Sequence, residues 1–148
     1  MNMRSKFVRP GSSIHYYVVE FDSSLLSWSD FRGNVLGPTD PTEAPADSIR
    51  GTILSQWQSL NLAAAPSTGD NGVHASASPF EGLAERLNWL CSECASDPFG
   101  AKLLAAGVPI ETIKAWSVDP QVKGASLFDT FEDMDCDAVL AKAVELLA

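Results

Sequence analysis

Two histidines and three cysteines are the side chains of this sequence best suited to covalent chemistry or metal binding. His74 stands among small and polar residues in the segment Asn71-Gly-Val-His-Ala-Ser, whereas His15 lies within an apolar run. A neutral imidazole is a nucleophile near pH 7, because its unperturbed pKa is about 6.5. One ring nitrogen must face the electrophile while an acceptor, best carried on a rigid helix, holds the other. A lone histidine is more often structural, so the residues around His74 decide its interpretation.

The cysteines have a spacing, Cys91-Ser-Glu-Cys94, that zinc sites and redox pairs also use. A zinc site needs a second pair of ligands, and only one further cysteine and two histidines remain in the chain. Cys91 also continues the apolar helical spacing of residues 79–94, which favours packing in a core. The acidic run at 132–137 lacks the alternating ligands and the glycine of a calcium loop. No metal site made of protein side chains is therefore predicted.

Other polar residues stand at fixed distances from one another and from His74. Thr39 lies in Val-Leu-Gly-Pro-Thr-Asp-Pro at 35–41, and Arg50 follows eleven residues later in Ser-Ile-Arg-Gly. Asn71 precedes His74 by three residues, and Glu85 follows it by eleven. In their order and residue types these segments resemble three consecutive motifs of the nucleoside diphosphate kinase family. The resemblance covers about residues 7–90.

The resemblance implies a phosphotransfer reaction. The family moves the terminal phosphate of a nucleoside triphosphate to a nucleoside diphosphate through a phosphohistidine, which would form on His74. Glu85 would be the carboxylate that orients the imidazole, and Ser76 would sit close to the phosphorylated ring. The expected catalytic residues are thus His74 and Glu85.

The resemblance also implies how the nucleotide is bound. Thr39 and Arg50 would contact phosphate oxygens, the guanidinium through charge-assisted hydrogen bonds, and Asn71 would bond the ribose. Magnesium, bound through the nucleotide phosphates, would neutralise the remaining charge. One departure concerns a further phosphate-binding arginine of the family. Its position corresponds to Gly33 here, with Arg32 one position early.

The fold implied is α+β, a partial ferredoxin-like sheet with packed helices. Residues 1–94 would form a partial nucleoside diphosphate kinase-like domain, and residues 95–148 an acidic helical extension. The family domain begins with two strands and a lysine that contacts phosphate, and nothing in Met1–Gly11 corresponds to them. We therefore expect an oligomer or a partner to supply the missing half, the C-terminal extension to cover it, or the chain to be an incomplete gene product.

Local patterns predict the elements that position these residues. Ile14–Phe21 is rich in β-branched and aromatic residues and predicts a strand. A second strand is expected between Gly72 and Ala75, or beginning in the insertion at residues 63–72. Ser78-Pro-Phe-Glu81 predicts a capped helix start with a capping box, and the apolar spacing continues to residue 94. Three further helices are predicted at 98–106, 109–116 and 134–147, with a loop marked by Pro120 and Gly124 before the last.

The composition of the chain limits the classes of partner that it is expected to bind. The net charge is −9, of which residues 91–148 contribute −6 from four basic and ten acidic side chains. An acidic surface repels nucleic acid, so a phosphorylated ligand needs a local island of positive charge. No apolar run approaches the roughly 20 residues of a membrane helix. The odd cysteine count favours a reducing compartment, and a cytoplasmic location is predicted.

Two functions from different classes remain open at this point. The first is a nucleoside diphosphate kinase-like phosphotransferase that uses His74. The second is a degenerate, non-catalytic family member that acts as a nucleotide-binding or protein-interaction module. The joint presence of the matched residues supports the first, and the missing lysine strand and displaced arginine support the second.

Overall fold

The computed structural model describes residues 9–147 of the chain. Within that range the protein is α+β, with seven α-helices, one π-helix, one 3₁₀-helix and one two-stranded antiparallel sheet. The backbone divides into two compact units, Met1–Leu26 with Asp30–His74, and Ser27–Ser29 with Ala75–Ala148. The domain boundary that the sequence predicts at residue 94 stays a prediction.

The elements follow one another with short connections except between residues 56 and 79. Those before residue 75 are α1 (Trp28–Asp30), the π-helix (Phe31–Leu36), the 3₁₀-helix (Pro41–Glu43) and α2 (Ile49–Gln56). Those after it are α3 (Pro79–Trp89), α4 (Pro98–Ala105), α5 (Ile110–Trp116), β1 (Gln121–Val122), β2 (Ala125–Ser126), α6 (Leu127–Phe131) and α7 (Cys136–Leu147). The three helices predicted beyond residue 95 are confirmed as α4, α5 and α7.

The sheet lies where the sequence indicated only a loop. Strands β1 and β2 pair with Gln121 opposite Ser126 and Val122 opposite Ala125. The two residues between them, Lys123 and Gly124, have φ of 51° and 90°, which are the positive values that a type I′ hairpin turn requires. The glycine that marks a loop in the sequence is therefore the turn of a small hairpin.

The second unit is built around an aromatic cluster. The ring of Phe80, which is fully buried, lies 5.3 Å from that of Phe131 and 6.2 Å from those of Trp116 and Phe128. Aromatic contacts at such distances add to the free energy gained by burying the rings. The other buried core residues are Leu83, Cys94, Phe99, Leu103, Val108, Ile113, Leu127, Val139 and Ala143.

Helix α3 begins as predicted but ends early. The hydroxyl of Ser78 accepts a hydrogen bond from the Glu81 N–H at 3.2 Å, and the Glu81 carboxylate accepts one from the Ala77 N–H. The helix stops at Trp89, so the expectation that it continues to residue 94 is wrong. Cys91, expected on an apolar helix face, is exposed with φ of 52°.

An ion pair joins the end of α3 to the start of α4. The Arg86 guanidinium donates to both oxygens of Asp97, at 2.5 and 3.0 Å, and Asp97 also caps α4 through the N–H groups of Phe99 and Gly100. Burial raises the pKa of the Asp97 carboxyl, but the bonds from Arg86, Gly100 and Phe99 together outweigh burial. The pKa of Asp97 is consequently lowered from its ordinary value of 3.8.

Replacing Asp97 with alanine should destabilise the fold by about 2–3 kcal/mol at pH 7, since the variant loses a helix cap and leaves the guanidinium unpaired. A lowered folded-state pKa contributes stability above the unfolded value, and that contribution is lost as the pH falls through the folded value. The difference between wild type and Asp97→Ala should therefore shrink below about pH 4. Urea unfolding at pH 7 and pH 3 measures it, with Asp97→Asn retaining the cap as a control. An equal difference at both pH values would contradict the assignment.

The predicted strand Ile14–Phe21 is not formed, and neither is the strand expected near residues 72–75. Residues 13–20 make no hydrogen bond with the described part of the chain. Their large side chains are exposed, with Tyr17 at 87% and Val18 at 63%. A strand requires a neighbour for its N–H and C=O groups. Residues 14–21 thus have the composition of a strand, but no strand pairs with them in the part of the chain that the structure describes.

Among residues 9–147, no helix is long and apolar enough to cross a membrane.

Candidate active site

Arg50 lies in the first turn of α2, and local capping fixes that turn. The Ser48 hydroxyl accepts a hydrogen bond from the Gly51 N–H at 3.1 Å and donates one to the Pro45 carbonyl at 2.6 Å. Ser48 and Arg50 are both buried, at 1% and 8% exposure. The arginine therefore leaves a capped helix end and points into the first unit.

The guanidinium of Arg50 connects two loops that contain predicted site residues. Its Nη1 donates to the Gly37 carbonyl at 2.8 Å, and its Nη2 donates to the Val73 carbonyl at 2.9 Å. Val73 directly precedes His74, so this bond places the cation one peptide from the candidate nucleophile. Gly37 begins the loop that contains Thr39.

A second link joins the same two loops. The side-chain amide of Asn71 donates to the Thr39 carbonyl at 3.0 Å. The turn after Thr39 is held by Asp40, whose carboxylate accepts from the N–H and the hydroxyl of Thr42 at 2.9 and 2.7 Å. These bonds from the side chain and backbone of Thr42 lower the pKa of Asp40 from its ordinary value of 3.8. The first unit thus brings together Thr39, Arg50 and Asn71, with Val73 leading into exposed His74.

Positive charge concentrates around Arg50. Burial of the guanidinium, and secondarily the charge of Arg32, lowers the pKa of Arg50 from its ordinary value. The buried Nε–H group has no hydrogen-bond partner, and no carboxylate within residues 9–147 pairs with this arginine. Arginine remains protonated under these conditions. Arg50 is consequently a buried cation with no counter-ion among residues 9–147, and the positive charge of Arg32 acts on it as well.

Arg32 lies in the π-helix that precedes the Gly37 loop, and its charge acts on the guanidinium of Arg50. A π-helix widens the helical turn to hold one extra residue, and such turns are frequent at functional sites. Residues 31–36 adopt this conformation immediately before the Gly37 loop. Sequence reasoning did not include Arg32 among the site residues, and the one-residue offset was the only signal for it.

The close approach of α2 to the preceding loop requires glycine at position 51. A Cβ there would lie 2.1 Å from the Pro45 carbonyl oxygen, whereas one at Gly33 would meet nothing within 4 Å. Gly51→Ala should destabilise the first unit by about 1–3 kcal/mol through overpacking. Gly33→Ala, the matched control, should stay within about 0.5 kcal/mol of wild type. Hydrogen exchange of the α2 amides measures both, and equal protection in the two variants would contradict this packing.

Glu85 and Ser76, the remaining predicted residues, belong to the second unit and contact each other. The Ser76 hydroxyl donates to Oε2 of Glu85 at 2.5 Å. Glu85 lies on α3, whose first turn is fixed by the Ser78 cap. The Glu85 carboxylate is therefore carried by a capped helix, and one of its oxygens accepts from the Ser76 hydroxyl. His74 ends the first unit, so its pairing with Glu85 stays a prediction.

Comparison with protein-family models, with curated proteins and with solved structures finds no match for the chain.

Proposed function

We propose that the chain is a nucleoside diphosphate kinase-like phosphotransferase, in which His74 receives the terminal phosphate of a nucleoside triphosphate and passes it to a nucleoside diphosphate. The observation that carries the proposal is the buried guanidinium of Arg50. It bonds the carbonyl next to His74, leaves one N–H without a partner and lies beside the charge of Arg32. The partial ferredoxin-like fold of the family is part of the same proposal.

Electrostatics favours a phosphate at this place. Burying a cation is costly unless an anion accompanies it, and a second arginine increases the attraction for a multiply charged ligand. An arginine has five N–H donors, and Arg50 uses two of them on carbonyl oxygens. The chain has a net charge of −9, so a phosphorylated ligand needs a local island of positive charge such as this pair of arginines.

In the proposed reaction the imidazole of His74 attacks the terminal phosphorus. A nitrogen–phosphorus bond forms, the bond from phosphorus to the bridging oxygen breaks, and the nucleoside diphosphate leaves with that oxygen. A second nucleoside diphosphate then attacks the phosphohistidine and regenerates the imidazole. Glu85 orients the ring through its second nitrogen, and Ser76 holds the Glu85 carboxylate.

The nucleotide is bound by the first unit in this proposal. Thr39 and Arg50 contact phosphate oxygens, and Asn71 contacts the ribose while its amide fixes the Thr39 loop. Magnesium, carried by the phosphates, supplies charge neutralisation during transfer. The unpartnered Nε–H of Arg50 and the absence of a paired carboxylate among residues 9–147 fit a ligand that presents phosphate oxygens.

Labelling with γ-³²P-ATP and magnesium tests the function directly. A phosphohistidine is lost in acid and retained in alkali, so the expected product is label with that stability. Adding unlabelled nucleoside diphosphate should then remove the label from the protein as nucleoside triphosphate. Absence of label under conditions where ATP binds would overturn the enzymatic reading and support the second candidate.

The second candidate is a non-catalytic nucleotide-binding or protein-interaction module. A specific observation favours it, because residues 14–19 expose apolar side chains with no strand beside them in the described chain. Such a segment suits pairing with a strand of another copy or of a partner protein. Nucleotide binding without label, together with a partner-dependent loss of exposure of Tyr17, would favour this candidate.

A further inference from the structure

The segment that follows His74 is held by residues far away in the sequence. The indole Nε1 of Trp28 donates to the Ser76 carbonyl at 2.9 Å, and the Trp28 backbone N–H donates to Oδ1 of Asp135 at 2.7 Å. The Asp133 N–H donates to the Ala77 carbonyl at 2.9 Å. Two consecutive carbonyls are thus fixed, one by a tryptophan side chain and one by the region between α6 and α7.

These bonds determine where the Ser76 hydroxyl points. With its carbonyl fixed by Trp28, the serine has its side chain directed at Glu85, which it reaches at 2.5 Å. The next residue is fixed as well, because the Ala77 N–H donates to the Glu81 carboxylate. Hydrogen bonds thus hold the backbone of Ser76 and Ala77 as well as the Ser76 side chain.

The C-terminal end of this support is itself rigid. Asp133 has φ of 60°, a left-handed conformation that aspartate tolerates, and this corner directs its N–H towards Ala77. Two residues before the corner, Phe131 is fully buried in the aromatic cluster. Two residues after it, the Asp135 carbonyl accepts from the Val139 N–H at 3.0 Å, at the start of α7. The support is thus anchored in the core of the second unit.

We propose that Trp28, Asp133 and Asp135 are positioning residues for the phosphotransfer site, acting through Ser76 on Glu85. The inference rests on the proposed function, and it assigns a role to the extension at residues 95–148, to which the family resemblance gives none. The extension fixes the backbone after the nucleophile. A carboxylate that orients an imidazole must be held within a fraction of an ångström, which is the work that supporting hydrogen bonds perform.

Trp28→Phe tests the proposal, because phenylalanine retains an aromatic ring and lacks the indole donor. The rate of phosphohistidine formation should fall about 10-fold, less than the roughly 10²-fold that a full 1 Å misplacement costs. Nucleotide affinity should be unchanged. The control is Trp89→Phe, since Trp89 is 56% exposed and its indole makes no hydrogen bond with residues 9–147. Asp135→Ala should lower the rate, and Asp135→Asn, which retains an acceptor oxygen, should restore it.

Hydrogen exchange separates this inference from the proposed function. The Trp28 indole N–H should exchange more slowly than that of Trp89, and amides of residues 75–78 should exchange faster in Trp28→Phe than in Trp89→Phe. Equal exchange in the two variants would overturn the inference, as would a rate in Trp28→Phe equal to that of Trp89→Phe. A wild-type chain that takes no label overturns the proposed function, and exchange alone then decides whether Trp28 holds the segment.

Discussion

His74→Ala is expected to reduce acid-labile labelling by γ-³²P-ATP to background. The imidazole is the only nucleophile placed by the resemblance at the phosphate-accepting position, and alanine removes both ring nitrogens. Within the first unit, the carbonyl before His74 accepts from the Arg50 guanidinium at 2.9 Å, so a phosphate attracted by that cation arrives beside the ring. The loss should be complete rather than partial, because no second group in the proposed site can replace the covalent acceptor.

The measurement is the amount of label per chain, with its stability in acid and in alkali. His15→Ala serves as the matched control, since His15 is exposed within residues 13–20 and lies outside the proposed site. That variant should label as wild type does. Unfolding midpoints of both variants should equal that of wild type, because His74 and His15 are exposed. Acid-labile label that survives in His74→Ala would show that another residue is phosphorylated.

The C-terminal helices could be predicted because their signals are local. Asp97-Pro98 places a capping carboxylate directly before a proline at the first helical position, and the structure shows that cap on α4. The end of α3 could not be predicted in the same way. The helix stops because residues 90–94 turn away, with Cys91 in a left-handed conformation that non-glycine residues seldom adopt. Apolar spacing continues past that point and carries no information on the turn.

The strand predicted at residues 14–21 shows that β-propensity alone does not establish a strand. Its composition describes a segment that fits a half-buried, paired surface, and pairing depends on another segment. Within the described residues no neighbour is present, so the same side chains are exposed. Amphipathic helices satisfy their own backbone groups and bury one face, which explains why helix predictions succeeded where this strand prediction did not.

The site residues could be named from motif offsets, but their contacts could not. Arg50 was expected to contact phosphate, and the structure adds two carbonyl bonds that tie its loops together. The bond from Trp28 to Asp135 spans 107 residues, a separation at which neither spacing nor periodicity gives any signal. The spacing of residues in a motif suggests which side chains share a site. Hydrogen bonds between residues far apart in the sequence, such as that of Trp28 with Asp135, are seen only in the folded chain.

Glu85→Gln should slow phosphohistidine formation by about 10²–10⁴-fold, the contribution of a well-placed general base or orienting group. Glutamine is nearly isosteric, and its amide oxygen still accepts from the Ser76 hydroxyl, which now lies 2.5 Å from the carboxylate. The local packing should therefore persist, while the negative charge that stabilises a developing imidazolium-like ring is lost. Nucleotide affinity should hardly change, because the phosphate and ribose contacts are proposed for other residues.

Rapid-quench labelling at saturating ATP measures the rate, and titration with a non-hydrolysable ATP analogue measures the affinity. Glu93→Gln is the matched control, since that glutamate is exposed in the loop after α3 and outside the proposed site. Both variants lose one negative charge, so a general electrostatic effect would slow or accelerate them equally. A selective loss in Glu85→Gln identifies the orienting carboxylate. An unchanged rate would reduce Glu85 to a helix-surface residue that bonds Ser76 and would remove it from the mechanism.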